Sequence, residues 1–569
     1  MIKEAIYHRP KNNFSYAYNE QWVHIRLQTK KNDVKQVVIH SKDPFEWSNM
    51  NQTSMKKMGS NEWFDFWQGE IKPTNRRLEY LFEVKDERET WFYTEKGFFS
   101  SLEHSKNPFK FPFLNKIDVF TAPDWVKETV WYQIFPERFC NGNEKRNPHD
   151  TKSWGKEEPT WDNFFGGDLE GVVEKLDYLK ELGITGIYFT PLFKAKSNHK
   201  YDTIDYFEID PQFGDKETLR TVVKEAHKRG IRVMLDAVFN HCGYYFQPFQ
   251  DVLEKGEQSI YKDWFHIHKF PVQRNPVPSY DMFAFTGDMP KLNTENEDVK
   301  NYLLSVARYW IEECNIDGWR LDVANEVDHV FWREFRREVK KIKPDCYILG
   351  EVWNDAMPWL SGDQFDAVMN YPLAQCIMDY AAYESLSISG FQREVEELLF
   401  KYPKNAHEVS FNLLGSHDTA RILHACGENK EKVKLLFLLQ LTLSGSPCIY
   451  YGDEIGMTGG GDPSCRKCMI WEEEKQDREL FAFVKNMISL RKTYGSLSQG
   501  ELVFHGREDV LAFEKRKNGE TVFVVMNATN QTKNIEFIHS HLTLLKGNGK
   551  SADGKEINLP PYGYMIFKK

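Results

Sequence analysis

The sequence predicts an α/β protein built around a (β/α)8 barrel of the TIM type, with an N-terminal β-sandwich, an insertion after the third barrel strand and a C-terminal β domain. A chain of 569 residues exceeds the ~250–300 residues at which single cores stop growing. Beyond residue 125, short apolar runs alternate with helical periodicity, and acidic residues follow several of the runs. Barrels place functional side chains at such strand ends. The expected domains are residues 1–122, 123–495 with the insertion 242–295, and 496–569.

The first 122 residues are predicted to form the sandwich because strand-length apolar or alternating runs are separated by polar turns. These runs are Val23–Leu27, Val37–Ile39, Tyr80–Val84 and Thr90–Tyr93. A stretch rich in Pro, Phe and Asn, residues 107–112, is expected to be a linker or docking strap.

The barrel strands are predicted at eight short apolar runs with helices between them. The runs are 130–135, 184–189, 231–235, 317–321, 346–349, 365–369, 409–413 and 447–450, and the clearest helices are 176–182, 219–229 and 299–313. The excursion 242–295 is too long for an ordinary loop and is therefore expected to be functional. Short strands return after residue 494, at 501–504, 510–514 and 521–526.

Composition excludes several classes of partner. The net charge of −10 and the lack of a Lys/Arg block argue against nucleic acid and anionic membranes. No apolar run approaches the ~20 residues of a membrane helix, and the N-terminus lacks a signal-peptide core. Nine scattered cysteines favour reduced thiols and a cytoplasmic location over a secreted disulfide scaffold. Cys465 and Cys468 form a C-x-x-C pair whose surroundings predict neither a zinc nor a redox site.

Three acidic residues, Asp322, Glu351 and Asp418, each lie just past a predicted strand. Two carboxyl groups that face one glycosidic bond can cleave it, one as nucleophile and one as proton donor. Arg320 lies two residues before Asp322, so it is expected to face the same side of the strand and to favour the ionised form of that carboxylate. Apolar and aromatic neighbours of Glu351 favour a protonated acid. The ordinary alternatives are a surface ion pair and helix-capping residues.

Four segments together resemble the signatures of the α-amylase family of retaining glycoside hydrolases. In chain order they are Asp236–His241, Gly318–Asp322, Gly350–Glu351 and Leu414–Asp418, one per strand end. The resemblance implies Asp322 as nucleophile, Glu351 as acid/base and Asp418 as transition-state stabiliser. The supporting residues that it implies are Arg320, His241, His417, the aromatic platform Tyr201 and the nearby His199.

Two further segments resemble the cyclomaltodextrinase, neopullulanase and maltogenic amylase group. Met289–Asn293 is similar to the M-P-K-L-N marker of that group, and Val323–Glu326 to its V-A-N-E segment, which adds Asn325 and Glu326 as substrate-binding candidates. The likeness implies a homodimer in which the N-terminal domain narrows the partner's cleft. It also implies that Asp462 and Arg466 bind the non-reducing end. Phe283 and Trp353 are candidate aromatic contacts on the leaving-group side, although both have a packing role as an alternative.

The resemblance also implies a structural calcium site. Its ligands would be Asn141, Asn143, Asn147, Asp168 and the Gly167 carbonyl, since Ca²⁺ prefers oxygen ligands. The loop has few carboxylates and contains Lys145 and Arg146, so binding should be weak. An ordinary Asx-rich turn is the rival interpretation.

The expected function is a retaining α-glucan hydrolase that needs no cofactor for its chemistry. It would cleave α-1,4 and some α-1,6 bonds in cyclodextrins, maltodextrins, pullulan and starch, giving maltose or panose with some transfer to sugar acceptors. Two alternatives stay open: an α-1,6-glucosidase, other α-glucosidase or isomerase of the same superfamily, and a catalytically silent glucan-binding protein. The M-P-K-L-N segment argues against the first, and the intact set of three carboxylates against the second.

Overall fold

The computed structural model describes residues 1–46, 50–536, 542–552 and 556–569. These residues form two compact units. The first contains Met1–Ala122, Asp355–Asp366 and Leu386–Glu408, and the second contains Pro123–Asn354, Ala367–Ser385 and Val409–Lys569.

The first unit is built on a two-sheet antiparallel sandwich. Its strands are β1 (Ser15–Ala17), β2 (Val23–Lys30), β3 (Gln36–Lys42), β4 (Asn51–Ser54), β5 (Lys56–Ser60), β6 (Phe64–Ile71), β7 (Leu78–Lys85), β8 (Thr90–Thr94), β9 (Gly97–Phe99) and β10 (Phe109–Phe111). One sheet has the order β1-β2-β6-β5, and the other β4-β3-β7-β8-β9 with β10 paired to β7. Alternate residues such as Val23, Ile25 and Leu27 fill the core between the sheets. The predicted sandwich is confirmed.

A helical segment from the middle of the chain belongs to this same unit. Arg26 is buried, and its Nη1 donates to the carbonyl oxygens of Phe400 (2.7 Å) and Tyr402 (2.8 Å). Phe66 of β6 stacks on Phe400 with ring centroids 4.4 Å apart. Such long-range contacts leave no local trace in the sequence.

The second unit contains a parallel eight-stranded barrel. Its strands are β11 (Trp131–Ile134), β12 (Gly186–Phe189), β15 (Arg232–Ala237), β16 (Gly318–Leu321), β17 (Tyr347–Gly350), β18 (Ala367–Val368), β19 (Phe411–Leu413) and β20 (Ser446–Tyr450). The order β18-β17-β16-β15-β12-β11-β20-β19 is closed by a parallel bridge between Met369 and Phe411. An antiparallel hairpin of β13 (Phe193–Ala195) and β14 (Thr203–Ile209) follows β12. The predicted barrel is confirmed, with strand ends that differ from the expected ones by one or two residues at most positions.

The α-helices of the described residues begin and end as follows: α1 (Leu169–Glu174), α2 (Leu176–Leu182), α3 (Lys216–Lys228), α4 (Gln247–Lys255), α5 (Glu297–Cys314), α6 (His329–Ile342), α7 (Tyr371–Ala381), α8 (Ile388–Lys401), α9 (Lys404–His407), α10 (Ile422–Ala425), α11 (Lys430–Thr442), α12 (Arg478–Thr493) and α13 (Gly495–Gln499). Side-chain caps fix several of their starts. Asp215 and Thr218 form a reciprocal capping box on α3, and Asn296 caps α5.

The excursion after β15 returns to the strand end from which it leaves. Cys242 N donates to Pro290 O and Leu292 N to Asn240 O, both at 3.0 Å. The M-P-K-L-N segment therefore lies against the residues that directly follow β15.

Residues beyond α13 form the C-terminal β structure. Its strands are β21 (Glu501–His505), β22 (Leu511–Lys517), β23 (Glu520–Met526), β24 (Lys533–Glu536), β25 (Thr543–Gly547), β26 (Lys550–Ala552), β27 (Glu556–Leu559) and β28 (Tyr564–Lys568). They make one sheet of order β21-β22-β23-β28-β25 and a second of order β24-β27-β26. Within the part of the chain that the structure describes, no helix is long and apolar enough to span a bilayer.

Candidate active site

Two of the predicted carboxyl residues lie side by side at the carboxyl edge of the barrel. In the β16–β17 ladder Leu321 pairs with Gly350, so the residues that follow them, Asp322 and Glu351, emerge next to each other. The backbone ladder continues through both, because Asp322 N donates to Ala237 O (3.1 Å) and Glu351 N to Leu321 O (3.0 Å). The end of the sheet thus holds both carboxyl groups in fixed positions.

Arg320 is the cation that the surrounding carboxyl groups share. Its fully buried guanidinium donates through Nη1 to Asp236 Oδ1 (3.1 Å), Asp236 Oδ2 (3.0 Å) and Asp322 Oδ1 (2.7 Å). Its Nη2 lies 2.9 Å from Glu351 Oε1. One positive charge therefore faces three carboxyl groups.

Burial and this charge imbalance shift the pKa of two of the carboxyl groups, those of Asp322 and Asp236. Burial raises the pKa of Asp322, and the neighbouring Glu351 and Asp236 raise it further, whereas Arg320 lowers it. Burial likewise raises the pKa of Asp236 to about 6, against the opposing effect of Arg320. Burial and mutual repulsion therefore raise the pKa of both Asp322 and Asp236, and Arg320 opposes that rise.

The second carboxyl oxygen of Asp322 has no hydrogen-bond partner among the described residues. Asp322 Oδ2 is buried and accepts no hydrogen bond from any residue that the structure describes. Buried carboxylate oxygens are normally satisfied, so an unpartnered one in a cleft is a candidate reacting atom.

Besides Arg320, two N–H donors contact Glu351. Its Oε2 accepts from Val323 N (2.9 Å), and its Oε1 lies 3.2 Å from the donor Trp353 Nε1. Val323 adopts a left-handed conformation with φ of 45°, which is strained for a β-branched residue and occurs directly after Asp322. The Trp353 ring stacks on Tyr371 with centroids 3.6 Å apart.

Asp418 lies within a second charged group. His417 Nε2 is 3.3 Å from Asp418 Oδ2, and Arg466 Nη2 is 3.4 Å from Asp418 Oδ1. Arg466 also pairs with Asp462 through Nη1 at 3.0 Å and donates through Nε to the His417 carbonyl at 2.9 Å. The structure therefore brings the predicted residues Asp418, Asp462 and Arg466 together.

Tyr201 joins the two groups. Its hydroxyl donates to Asp236 Oδ2 (3.1 Å) and lies 2.7 Å from His417 Nε2, and its ring stacks on that histidine with centroids 5.4 Å apart. His199 Nδ1 accepts from the Tyr201 backbone N–H at 3.1 Å.

The histidines of the site are neutral. Burial lowers the pKa of His199 and of His241 to about 3 and holds the pKa of His417 well below its ordinary value. His241 stacks against Phe283 with ring centroids 5.0 Å apart, and the buried Nε2 of His241 has no hydrogen-bond partner among the described residues. A neutral imidazole can exchange hydrogen bonds with a sugar hydroxyl in either direction.

Three further residues contact these groups, and no sequence pattern marks any of them individually. Tyr188 donates its hydroxyl to Asp236 Oδ2 at 2.7 Å, and Gln133 Nε2 lies 2.8 Å from His417 Nδ1. Lys291 Nζ contacts Asn240 Oδ1 and lies 3.1 Å from the Glu326 carbonyl oxygen. Tyr188 and Gln133 belong to buried strands, where nothing in the sequence separates them from core residues. Lys291 stands inside the M-P-K-L-N segment, which was the available signal.

A groove of about 380 Å³ continues from the site on the Glu351 side. Its walls include Trp353, Tyr371, Met378, Tyr383, Leu414 and Thr419. Trp353 is 46% exposed and Tyr383 53% exposed, so two aromatic rings are open to a ligand. Aromatic faces of this kind suit the apolar face of a sugar ring. Asn325 and Glu326 are exposed on the turn Ala324–Glu326 that follows Asp322.

Comparison with known proteins assigns the chain to a family. Residues 133–500 match the model of the α-amylase catalytic domain, and residues 1–115 match that of the α-amylase N-terminal Ig-like domain. The chain belongs to the α-amylase family of glycoside hydrolases. The resemblance inferred from the four sequence segments is thereby confirmed.

Individual members of the family are similar over at least 94% of the chain. A cyclomaltodextrinase from Geobacillus thermopakistaniensis is 56% identical, covering 100% of this chain and 99% of its own length. A maltogenic α-amylase from Bacillus acidopullulyticus is 55% identical over 94% of this chain and 93% of its own. A solved cyclomaltodextrinase structure superposes with a TM-score of 0.95 at 48% identity, covering 100% of both chains.

The loop expected to bind calcium in this family member gathers mostly neutral oxygens. Asn141 Nδ2 donates to Asn147 Oδ1 at 3.0 Å, while the buried Asn141 Oδ1 has no partner within the described chain. Asp168 caps α1, and its carboxylate accepts from the N–H groups of Gly142, Asn143 and Gly171. Arg146 pairs with Glu170 at 2.8 Å. No group of three or more His, Cys, Asp or Glu suited to a metal occurs among the described residues.

Proposed function

We propose that this protein is a retaining α-glucan hydrolase of the cyclomaltodextrinase and neopullulanase type. The observation that supports this most is that Asp322 and Glu351 both contact the guanidinium of Arg320. The buried Oδ2 of Asp322 has no hydrogen-bond partner among the described residues. The Arg320 guanidinium contacts both carboxyl groups at the same end of the barrel. Retaining enzymes need a separation of about 5–5.5 Å, whereas inverting enzymes leave a wider gap for water.

In the proposed reaction Asp322 attacks the anomeric carbon while Glu351 gives its proton to the departing glycosidic oxygen. A glycosyl ester on Asp322 forms as the bond to the leaving sugar breaks. Glu351, now ionised, takes a proton from water, and the resulting attack on the anomeric carbon frees Asp322 and returns the α configuration. Asp418 would stabilise the positive charge that develops on the sugar ring.

Substrate contacts are proposed for the residues that surround these three. Tyr201, His199, His241, Arg320 and His417 would bind the sugar whose bond is cut, and Asp462 with Arg466 would bind the non-reducing end. Trp353, Phe283, Asn325 and Glu326 would contact the leaving group. The groove lined by Trp353 and Tyr383 supports an extended leaving-group side, where an acceptor sugar can take the place of water.

The proposed substrates are cyclodextrins, maltodextrins, pullulan and starch, with maltose or panose as the main products. We expect a higher initial rate on β-cyclodextrin than on an equal mass of soluble starch, with chromatography showing maltose as the final product. Faster cleavage of starch to long oligosaccharides would contradict this substrate preference. Release of glucose from α-1,6-linked oligosaccharides alone would favour the glucosidase alternative, and no turnover at all would favour the silent glucan-binding protein.

We also propose a cytoplasmic homodimer with domain boundaries at residues 122 and 495. All nine cysteines are buried and free, which supports a reducing compartment. Phe45 and Trp63 of the sandwich are 76% and 63% exposed, and large exposed aromatics suit a protein interface. Sedimentation should show a species of twice the 67.1 kDa chain mass, whereas a single species at the chain mass would exclude the dimer.

Calcium is proposed as a weakly bound structural ion in the loop around Asn141. Oxygens of Asn141, Asn143, Asn147, Asp168 and the Gly167 carbonyl would hold it, and the unpartnered Asn141 Oδ1 supports the site. Because Asp168 is the only carboxylate of the set, the affinity should fall in the range of about 10⁻⁴–10⁻³ M.

This calcium site predicts a small, reversible stabilisation. A concentration about ten times the Kd should raise the Tm by about 1–2 °C, and EDTA should reverse the rise. Asn141→Ala should remove the response, while the matched change Asn530→Ala on an exposed turn should keep it. An unchanged Tm in the unmodified protein, or an equal rise in Asn141→Ala, would rule the site out.

A further inference from the structure

A second cavity lies at the end of the barrel opposite the proposed active site. Its volume is about 470 Å³, and its lining includes Thr129, Thr185 and Arg232, which stand at the amino ends of β11, β12 and β15. The lining also includes Trp125 and two residues at the end of α12, Arg491 and Lys492. None of these residues takes part in the proposed glucan chemistry, whose carboxyl groups follow the carboxyl ends of the strands.

Arg491 is a buried cation that pairs with no carboxylate among the described residues. It is 2% exposed, and its Nη1 donates to the carbonyl oxygens of Leu441 and Leu443, both at 2.9 Å. Nη2 donates to the Gly445 carbonyl, and Nε has no partner among the residues that the structure describes. Burial lowers the pKa of this guanidinium to about 9. A buried charge left unpaired is costly, so an anion that reaches it gains a strong interaction.

Lys492 adds a second cation to the lining of this cavity. Its Nζ donates to the Gly183 carbonyl at 2.6 Å, and its other two N–H donors have no partner among the residues that the structure describes. In the described chain no carboxylate lies within ion-pair distance of this ammonium. Burial lowers the pKa of Lys492, with no opposing effect from an acidic neighbour.

The other charges around the cavity do not cancel these two. Arg232 is compensated, since its Nη1 lies 2.9 Å from Asp317 Oδ1 and 4.0 Å from Asp345 Oδ2. Glu128 is the one carboxylate in the lining, and it accepts from Gln499 Nε2 at 3.2 Å. The lining therefore holds three cations and one anion in a protein whose net charge is −10.

We propose that this cavity binds a phosphate monoester, with the phosphoryl group between Arg491 and Lys492. The Thr185 hydroxyl oxygen accepts from Val130 N at 3.0 Å, so its own O–H is free to donate to the anion. The half-buried indole of Trp125 would form an aromatic wall for a sugar ring. Its ring centroid is 5.1 Å from Arg232 Cζ. The volume falls within the range of about 300–1,000 Å³ typical of small-molecule sites. A hexose phosphate and inorganic phosphate share this recognition chemistry.

The test is titration calorimetry of the full-length protein with inorganic phosphate, glucose 6-phosphate and glucose, at ionic strength held constant with chloride. Phosphate and glucose 6-phosphate should bind with a Kd of millimolar or lower, and glucose should not bind to this cavity. Tighter binding of glucose 6-phosphate than of phosphate would identify the sugar phosphate as the ligand, and equal binding would identify the free anion. Absence of binding by both would overturn the proposal.

A pair of lysine variants on one helix locates the site. Lys492→Gln should weaken binding of both anions at least fivefold. Lys485 lies on the same helix but outside the cavity lining, where it pairs with Glu181. The Lys485→Gln variant should bind both anions as tightly as the unmodified protein does. Both variants should keep their activity on β-cyclodextrin, which separates this site from the glucan site. Equal binding by Lys492→Gln and the unmodified protein would place the anion elsewhere and contradict the proposal.

Discussion

Asp322→Asn is expected to lower kcat/KM on every α-glucan by roughly 10⁴-fold or more, because the amide cannot form the glycosyl ester. The fold should persist, since Arg320 keeps its contacts with Asp236 and Glu351 when one carboxylate is neutralised. Initial rates on β-cyclodextrin and maltotriose, together with a thermal unfolding curve, measure both effects.

A matched substitution distinguishes the loss of the nucleophile from the mere loss of one negative charge. Asp281→Asn changes a half-exposed aspartate in the excursion, where its partner is His268, and should leave activity near that of the unmodified enzyme. Substantial residual turnover of both β-cyclodextrin and maltotriose by Asp322→Asn would exclude Asp322 as the nucleophile.

Glu351→Gln is expected to lower kcat by about 10²–10⁴-fold on natural glucans, whose leaving groups need a proton. In an aryl α-maltoside whose leaving group is a strongly acidic phenol, the phenolate departs without being protonated. Formation of the glycosyl ester from this substrate should therefore be nearly unaffected. The glycosyl ester should then accumulate, because the glutamine cannot activate water, and a burst of phenol should precede slow turnover.

The neighbouring Glu326 supplies the control for this variant. Glu326 is exposed on the turn after Asp322, and Glu326→Gln should change transfer to sugar acceptors without producing a burst. If Glu351→Gln slowed the aryl substrate as severely as the natural glucans, Glu351 would not be the proton donor.

The barrel could be predicted because its strands are buried on both faces. Tyr347–Gly350, for example, is buried throughout and appears in the sequence as an uninterrupted apolar run. Strands with weak patterns were not predicted. The strand Asn51–Ser54 consists of polar residues that are largely exposed, so no periodicity marks it. The packing of Phe400 beside Phe66 joins residues far apart in the chain, and propensity or spacing cannot reveal such a contact.

The acidic residues of the site were predictable because they follow strand ends within specific segments. The residues that orient them carry no comparable signal in the sequence. Tyr188 donates to Asp236 from within an apolar strand, and its hydroxyl gives no signal until the neighbouring strand is in place. The left-handed backbone of Val323, which points an N–H at Glu351, opposes the conformational preference of valine and can be seen only in the folded chain.

Trapping of the glycosyl ester tests the central claim most directly. The unmodified enzyme would be incubated with 5-fluoro-α-glucosyl fluoride, digested with a protease and analysed by peptide mass spectrometry. We predict one added fluoroglucosyl group, located on Asp322, and release of that group when maltose is supplied as an acceptor. A label on Glu351 or Asp418, or turnover with inversion and no ester, would contradict the proposed mechanism.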